Sequence, residues 1–229
     1  FAAYTAQTDY EIGRILDALE RTGQLNNTLT VCIIGDNGAS MEGTPYGAFN
    51  ELAALGGIPE DPAYVLQRID DIGGPRAYNH YPVGWAWAMN TPFQWGKQVA
   101  SHLGGTRNPL VIAWPDRIRD VGGTRGQFHH VIDIAPTILM AAGIPEPTEV
   151  NGVKQKPIEG VSMRYTFDAG ATPSLRHTQY FEILGNRAIY HDGWVAACFH
   201  GRVPWIRSQG LPFGDGAETW ELYRITDEL

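Results

Sequence analysis

A short apolar segment followed at once by polar residues is the feature that most constrains the fold of this chain. Residues 29–34 read Leu-Thr-Val-Cys-Ile-Ile, which predicts a buried strand. Residues 35–38, Gly-Asp-Asn-Gly, end that strand abruptly. Residues 8–22 carry apolar side chains at helical spacing, and Gly23 supplies a stop signal. A helix, a short loop and a buried strand in this order are typical of an α/β fold.

The rest of the chain extends this prediction. Residues 109–114 form a second apolar strand, and residues 133–142 predict a helix with Asp133 as its N-cap. After residue 175 the pattern changes to four short strand-like segments, with hairpin signals at 185–186 and 192–193. We therefore predict an α/β protein with part of a mixed, mostly parallel sheet flanked by helices, followed by a small antiparallel sheet subdomain.

Three regions follow from these patterns. Residues 1–145 are predicted to belong to an α/β domain, and residues 146–174, rich in proline and polar residues, to form a linker or surface crossing. Residues 175–229 are predicted to form the small antiparallel sheet, which we expect to be incomplete.

Composition excludes several classes of partner. The formal net charge of −8 disfavours non-specific binding to nucleic acid or to an anionic membrane surface. The sequence contains no run of 18 apolar residues, so no membrane span is predicted. Two cysteines, Cys32 and Cys198, do not make a disulfide framework. We expect a loop-rich folded protein with no nucleic-acid or membrane partner.

Asp36 and Asn37 are the candidate metal ligands. Open α/β sheets place their sites at the carboxyl ends of strands, and carboxylate and carboxamide oxygens suit Ca²⁺ or Mg²⁺. The same four residues also fit an ordinary turn. Two further elements accompany them: Lys97, after an aromatic-rich stretch, and residues 101–109, Ser-His-Leu-Gly-Gly-Thr-Arg-Asn-Pro, before the second strand.

In this order and spacing the motifs resemble the sulfatase family of the alkaline-phosphatase-like superfamily, and most of all its large bacterial arylsulfatases. The resemblance covers most of residues 4–225. Its elements are Gly-Asp-Asn-Gly-Ala-Ser at 35–40, Lys-x(4)-His-x-Gly-Gly-x-Arg-x-Pro at 97–109, His-Val-Ile-Asp-Ile-Ala-Pro-Thr-Ile-Leu at 130–139, Glu-Gly-Val-Ser at 159–162 and Trp-Glu-Leu-Tyr at 220–223.

The resemblance implies roles for four residues. Asp36 and Asn37 would supply part of the oxygen shell of one divalent cation, Ca²⁺ or alternatively Mg²⁺. Lys97 would bind the sulfate and donate to oxygen as the S–O bond breaks. His102 would be a second catalytic side chain near the pocket, or else a packed histidine. The substrate would be a small-molecule sulfate ester.

The family's nucleophile is expected outside this chain. Sulfatases make formylglycine from Cys or Ser within a Cys/Ser-x-Pro/Ala-x-Arg element, and the near-match at 198–202, Cys-Phe-His-Gly-Arg, has Gly at the third position. The family's Asp-Asp pair and other upstream ligands are also missing. We therefore expect this chain to be the C-terminal half of the catalytic region, completed by an N-terminal half and inactive when isolated.

Two other functions fit the same residues. One is a phosphonate monoester hydrolase or phosphodiesterase of the same superfamily, and the other is a non-catalytic module derived from a sulfatase. No signal peptide is visible, and the sequence leaves bacterial cytoplasm and periplasm open as compartments.

Overall fold

A computed structural model describes residues 1–205 and 218–225 of the chain. Within these residues the α-helices are α1 (Ala2–Arg21), α2 (Glu51–Leu55), α3 (Pro62–Gln67), α4 (Val83–Asn90), α5 (Leu103–Thr106) and α6 (Ile134–Ala142). Short 3-10 helices lie at Leu25–Asn27, Ile69–Asp71, Val131–Asp133 and Met163–Thr166. The helix predicted over 8–22 is confirmed and begins six residues earlier. None of the described helices is long and apolar enough to cross a membrane.

In the described part of the chain the strands form three small sheets. They are β1 (Thr30–Ile33), β2 (Leu110–Ala113), β3 (Glu149–Val150), β4 (Val153–Lys154), β5 (Thr178–Ile183), β6 (Asn186–His191), β7 (Trp194–Cys198) and β8 (Trp220–Arg224). β1 pairs with β2, β3 pairs with β4, and the last four strands form one sheet in the order β5-β6-β7-β8. The predicted α/β class and the small C-terminal sheet are both confirmed.

The pairing of β1 differs from the sequence prediction in two respects. β1 and β2 run antiparallel, with Thr30 opposite Ala113 and Ile33 opposite Leu110. The other pairs with a defined register, β3–β4, β6–β7 and β7–β8, are also antiparallel. The predicted mostly parallel sheet is therefore wrong for these described pairs. β1 is also not buried, and Ile33 is 43% exposed. An apolar run specifies neither strand direction nor the layer that covers it, and a two-stranded sheet leaves both faces open.

Two tight turns connect β5, β6 and β7. Leu184 and Gly185 join β5 to β6 with φ values of 54° and 87°, and Asp192 and Gly193 join β6 to β7 with 42° and 85°. Positive φ at both central residues is the pattern of hairpin turns that match the twist of their strands. The first turn lies one residue earlier than predicted, and Asn186 is instead the fully buried first residue of β6.

The chain forms two compact units. One comprises residues 1–33 and 110–179, and the other comprises residues 34–109 together with the described residues from 180 onward. The second unit has a core of Met41, Ala86 and Val99, against which Trp95 and Phe199 pack. The sequence-based boundaries at 145 and 175 follow chain order and stay a prediction.

Asp133 organises the first unit. It is the N-cap residue of α6, as the sequence predicted, but its carboxylate makes no cap bond to that helix. The side chain is fully buried and accepts hydrogen bonds from the backbone N–H groups of His130 (2.9 Å) and Val161 (2.8 Å). Nδ1 of His129 (3.2 Å) and Nε of Arg176 (3.0 Å) also lie at hydrogen-bond distance from it. A cap needs only a local contact, whereas this carboxylate joins segments over 40 residues apart.

Candidate functional site

The loop that carries Asp36 and Asn37 belongs to the second unit and is closed by backbone contacts. Gly38 donates from its N–H to the carbonyl of Gly105 at 3.0 Å. The Asn108 carboxamide, oriented to satisfy its partners, donates to the Asn37 carbonyl (2.8 Å) and accepts from the Asn37 N–H (3.2 Å). A Cβ on Gly38 would lie 1.7 Å from the carbonyl oxygen of Gly104. Glycine is therefore required at 38 because two backbones meet there.

Backbone hydrogen bonds also bring Lys97 beside this loop. The N–H of Lys97 donates to the carbonyl of Ala39 at 3.1 Å, only two residues after Asn37. The N–H of Ala39 donates to Oδ1 of Asn90, the last residue of α4. The three elements singled out in the sequence, the 35–38 turn, Lys97 and the Gly-Gly segment at 104–105, thus lie together in one unit.

The backbone around Lys97 is conformationally unusual. Trp95 has φ of 66° and Gln98 has φ of 71°, so left-handed non-glycine residues lie on both sides of Lys97. Such conformations cost about 1–3 kcal/mol each and persist where the surrounding structure enforces them. Trp95 is held by stacking on Phe199, with ring centroids 4.5 Å apart. The segment is therefore held in a defined conformation by its surroundings.

The side chain of Lys97 pairs with Glu42, a residue that sequence analysis did not single out. Nζ of Lys97 lies 2.8 Å from Oε2 of Glu42. Oγ of Ser40 donates to the same oxygen at 2.9 Å, and Nε2 of Gln98 donates to Oε1 at 2.6 Å. The only sequence signal was a lone carboxylate six residues after Asp36 in a small-residue loop.

These contacts set the ionisation of Glu42. Burial alone would raise the pKa of this carboxyl, but the hydrogen bonds from Lys97, Ser40 and Gln98 outweigh it and lower the pKa below its usual value. Glu42 is therefore a carboxylate at neutral pH and faces the Lys97 ammonium.

His102, the other candidate catalytic residue, is packed in the interior of the same unit. Its Nδ1 lies 2.8 Å from Oγ of Ser101, and its Nε2 lies 3.5 Å from a carboxylate oxygen of Glu221. Its ring is within 6.5 Å of the Trp95 ring and 6.2 Å of the Tyr223 ring, centroid to centroid. Burial lowers the pKa of His102, although Glu221 opposes the shift. His102 is 9% exposed, and its lowered pKa favours the neutral imidazole at pH 7.

Asp36 and Asn37 offer oxygen atoms that fit a hard cation. Nδ2 of Asn37 donates to Oδ1 of Asp36 at 2.9 Å, which orients the two side chains together. Within residues 1–205 and 218–225, no donor is bonded to Oδ2 of Asp36 or Oδ1 of Asn37. The donor set suits Ca²⁺ or Mg²⁺, but two protein oxygens are fewer than either ion takes, so further ligands are required.

A second group of potential ligands lies in the same unit. Glu42, Glu51 and His80 each offer one ligand atom, and these three atoms lie within 4.8 Å of one another. Both nitrogens of His80 are already in use, since Nδ1 lies 2.8 Å from the Tyr81 carbonyl and Nε2 lies 2.8 Å from Oγ of Ser40. Glu42 is engaged by Lys97, so Glu42 and His80 already serve a hydrogen-bond network.

Cys198, within the near-match to the formylglycine motif, lies in β7 and is completely buried. Burial raises the pKa of its thiol. A buried, protonated thiol in a sheet is a small core residue rather than an accessible nucleophile.

Comparison with known proteins identifies the family. A model of the sulfatase family matches residues 2–144, more than half of the chain. The chain belongs to the sulfatase family. The matched residues include Asp36, Asn37, Lys97 and His102.

Two curated sulfatases resemble this chain in sequence. An uncharacterised sulfatase of Schizosaccharomyces pombe is 32% identical over 231 residues, which covers all of this chain and 38% of that protein. An arylsulfatase of Klebsiella aerogenes is 29% identical over 164 residues, covering 71% of this chain and 33% of that protein. The matched part of this chain thus spans 38% and 33% of the length of these two sulfatases.

One solved structure resembles the fold. The match covers 94% of this chain and 31% of the neighbour's chain, with a TM-score of 0.51 and 18% sequence identity. The neighbour was solved in complex with its substrate, D-glucosamine-2-N,6-O-disulfate. At this identity the likeness concerns the sulfatase fold alone.

Proposed function

We propose that the protein containing this chain hydrolyses a small-molecule sulfate ester, and that an aryl sulfate is its substrate class. The observation that carries the proposal is the closure of the Asp36–Asn37 loop against Gly105 and Lys97 within a sulfatase-family chain. That arrangement supports one site with hard oxygen ligands and a cationic donor.

Asp36 and Asn37 are proposed to hold one divalent cation, Ca²⁺ in preference to Mg²⁺, together with ligands from outside this chain. Such a cation supplies charge stabilisation at a sulfate oxygen. Lys97 is proposed to donate a hydrogen bond to the sulfate or to the ester oxygen on which negative charge develops. His102 is proposed to support the site from the protein interior, and the formylglycine nucleophile is proposed to lie outside this chain.

The test compares hydrolysis of p-nitrophenyl sulfate and p-nitrophenyl phosphate by the full-length natural protein. We expect the sulfate ester to react at least tenfold faster. Preference for the phosphate ester would instead support a phosphodiesterase or phosphonate hydrolase, and a sulfated glucosamine serves as a second substrate class.

The Asp36→Ala variant tests the site itself. It should lose bound calcium, measured by elemental analysis, and at least a hundredfold in kcat/KM. Asp70→Ala is the matched control, since Asp70 is an exposed aspartate of the same unit. Unchanged calcium content and turnover in Asp36→Ala would reject Asp36 as a ligand.

A further inference from the structure

Glu42 is an unusually constrained carboxylate. Its side chain is 9% exposed, and both of its oxygens accept hydrogen bonds: Oε2 from Lys97 and Ser40, and Oε1 from Gln98. A carboxylate held at both oxygens has a fixed plane and a fixed position. It can therefore impose a geometry on the groups that bind it.

Ser40 is itself held by a histidine. Oγ of Ser40 lies 2.8 Å from Nε2 of His80, whose Nδ1 lies 2.8 Å from the carbonyl of Tyr81. Since a carbonyl oxygen only accepts, Nδ1 carries a proton, and the ring orientation is set. A series of contacts at hydrogen-bond distance thus runs from the Tyr81 backbone through His80 and Ser40 to Glu42.

Lys97 is anchored at both ends of its side chain. Its backbone N–H binds the carbonyl of Ala39, and its Nζ binds Glu42. An ammonium has three N–H donors, so one contact to Glu42 leaves two for another acceptor. The side chain is 36% exposed and is therefore accessible to solvent and to a ligand.

We propose that Glu42 is a positioning residue for Lys97: it fixes the ammonium so that its remaining donors meet the sulfate group. This inference rests on the proposed function, because it requires a sulfate group at Lys97. It assigns no contact between Glu42 and the substrate. Lysine side chains are flexible point charges, and fixing one in advance removes an ordering cost from the reaction.

The test is a double-mutant cycle in the full-length natural protein with p-nitrophenyl sulfate. Glu42→Gln should lower kcat by about 10- to 100-fold with little change in KM, since the lost interaction matters most in the transition state. In a Lys97→Met background, Glu42→Gln should lower activity by less than about threefold, because its effect passes through Lys97. Equal losses in both backgrounds would overturn the proposal.

Glu60→Gln is the matched control. Glu60 accepts the backbone N–H of Phe49 at 2.7 Å and of Asn50 at 3.1 Å in the same unit, and no hydrogen bond joins it to Lys97 in the described residues. Its effect should be the same with and without Lys97. Ser40→Ala is the milder variant if Glu42→Gln folds poorly; it should give a smaller loss that also disappears in Lys97→Met.

If turnover in Lys97→Met is too low to measure, the same cycle is run on the dissociation constant of vanadate by calorimetry, because its five-coordinate adducts mimic the transition state of sulfate transfer. Coupling between positions 42 and 97 supports the proposal, and additive effects overturn it. Wild-type turnover of the sulfate ester is measured first. Additivity in an active enzyme rejects only the role of Glu42, whereas absence of turnover from wild type rejects the proposed function.

Discussion

Nε of Arg176 lies 3.0 Å from Oδ2 of Asp133, and both residues are almost inaccessible to solvent. A second guanidinium nitrogen of Arg176 contacts the other carboxylate oxygen. The pair joins the start of α6 to the segment just before β5. Because each partner is the charge that compensates the other, removal of either leaves a buried charge unpaired.

Asp133→Asn should therefore destabilise the protein by about 3–5 kcal/mol, the range for breaking one side of a buried ion pair. The free energy of unfolding from urea titration provides the measurement. Glu11→Gln is the control, since Glu11 forms an exposed pair with Arg14 and should change stability by less than about 1 kcal/mol. Equal effects of the two substitutions would show that the buried pair contributes no more to the free energy of unfolding than the exposed pair does.

Stability should also fall in acid. Burial alone would raise the pKa of Asp133, but hydrogen bonds from His129, Arg176 and two backbone amides hold it well below its usual value. Hydrogen bonds from Arg187 and His200 lower the pKa of Glu218 to about 2. A carboxyl with a lowered folded-state pKa stabilises the protein above its unfolded pKa of about 4 and loses that contribution as pH falls.

The free energy of unfolding should thus decline between about pH 5 and pH 2, as measured by urea titration at several pH values. Asp133→Asn should flatten this dependence, because the substituted side chain does not titrate. If Asp133→Asn kept the full pH dependence of the free energy of unfolding, other carboxyls would be responsible for that dependence.

Gly38→Ala should disrupt the candidate site. The added Cβ would lie 1.7 Å from the Gly104 carbonyl oxygen, so the two backbone segments must separate. We expect at least a tenfold loss of sulfate-ester turnover and a lower melting temperature. Gly84→Ala in α4 has open space around the new Cβ and should be neutral or stabilising by up to about 1 kcal/mol. Wild-type behaviour of Gly38→Ala would contradict the close approach.

Asn186→Ala should loosen the backbone next to Lys97. Nδ2 of Asn186 donates to the carbonyls of Gln98 (3.2 Å) and Arg202 (2.9 Å), and Oδ1 accepts from the His200 N–H (2.9 Å). Each buried group left unpaired costs about 1–3 kcal/mol. We expect a loss of at least 2 kcal/mol in urea titration and faster amide exchange at His200. Unchanged exchange would mean that other contacts hold this backbone.

Sequence by itself determined the local elements of this protein and its family. Apolar runs predicted β1 and β2, and the hairpin signals predicted the C-terminal sheet to within one residue, because strands and tight turns depend on neighbouring residues. The motifs between residues 35 and 223 indicated the sulfatase family, which the family match over residues 2–144 confirmed. They did not indicate the antiparallel direction of β1 and β2.

Only the tertiary structure decided which side chains meet. Lys97 and Glu42 are 55 residues apart in the chain, and no local pattern linked them. Asp133 was predicted as a helix cap from its neighbours, yet its carboxylate pairs with Arg176, 43 residues away. Local propensity acts over a few residues, whereas a buried charge selects a partner that the fold delivers to it, and that partner is set by long-range packing.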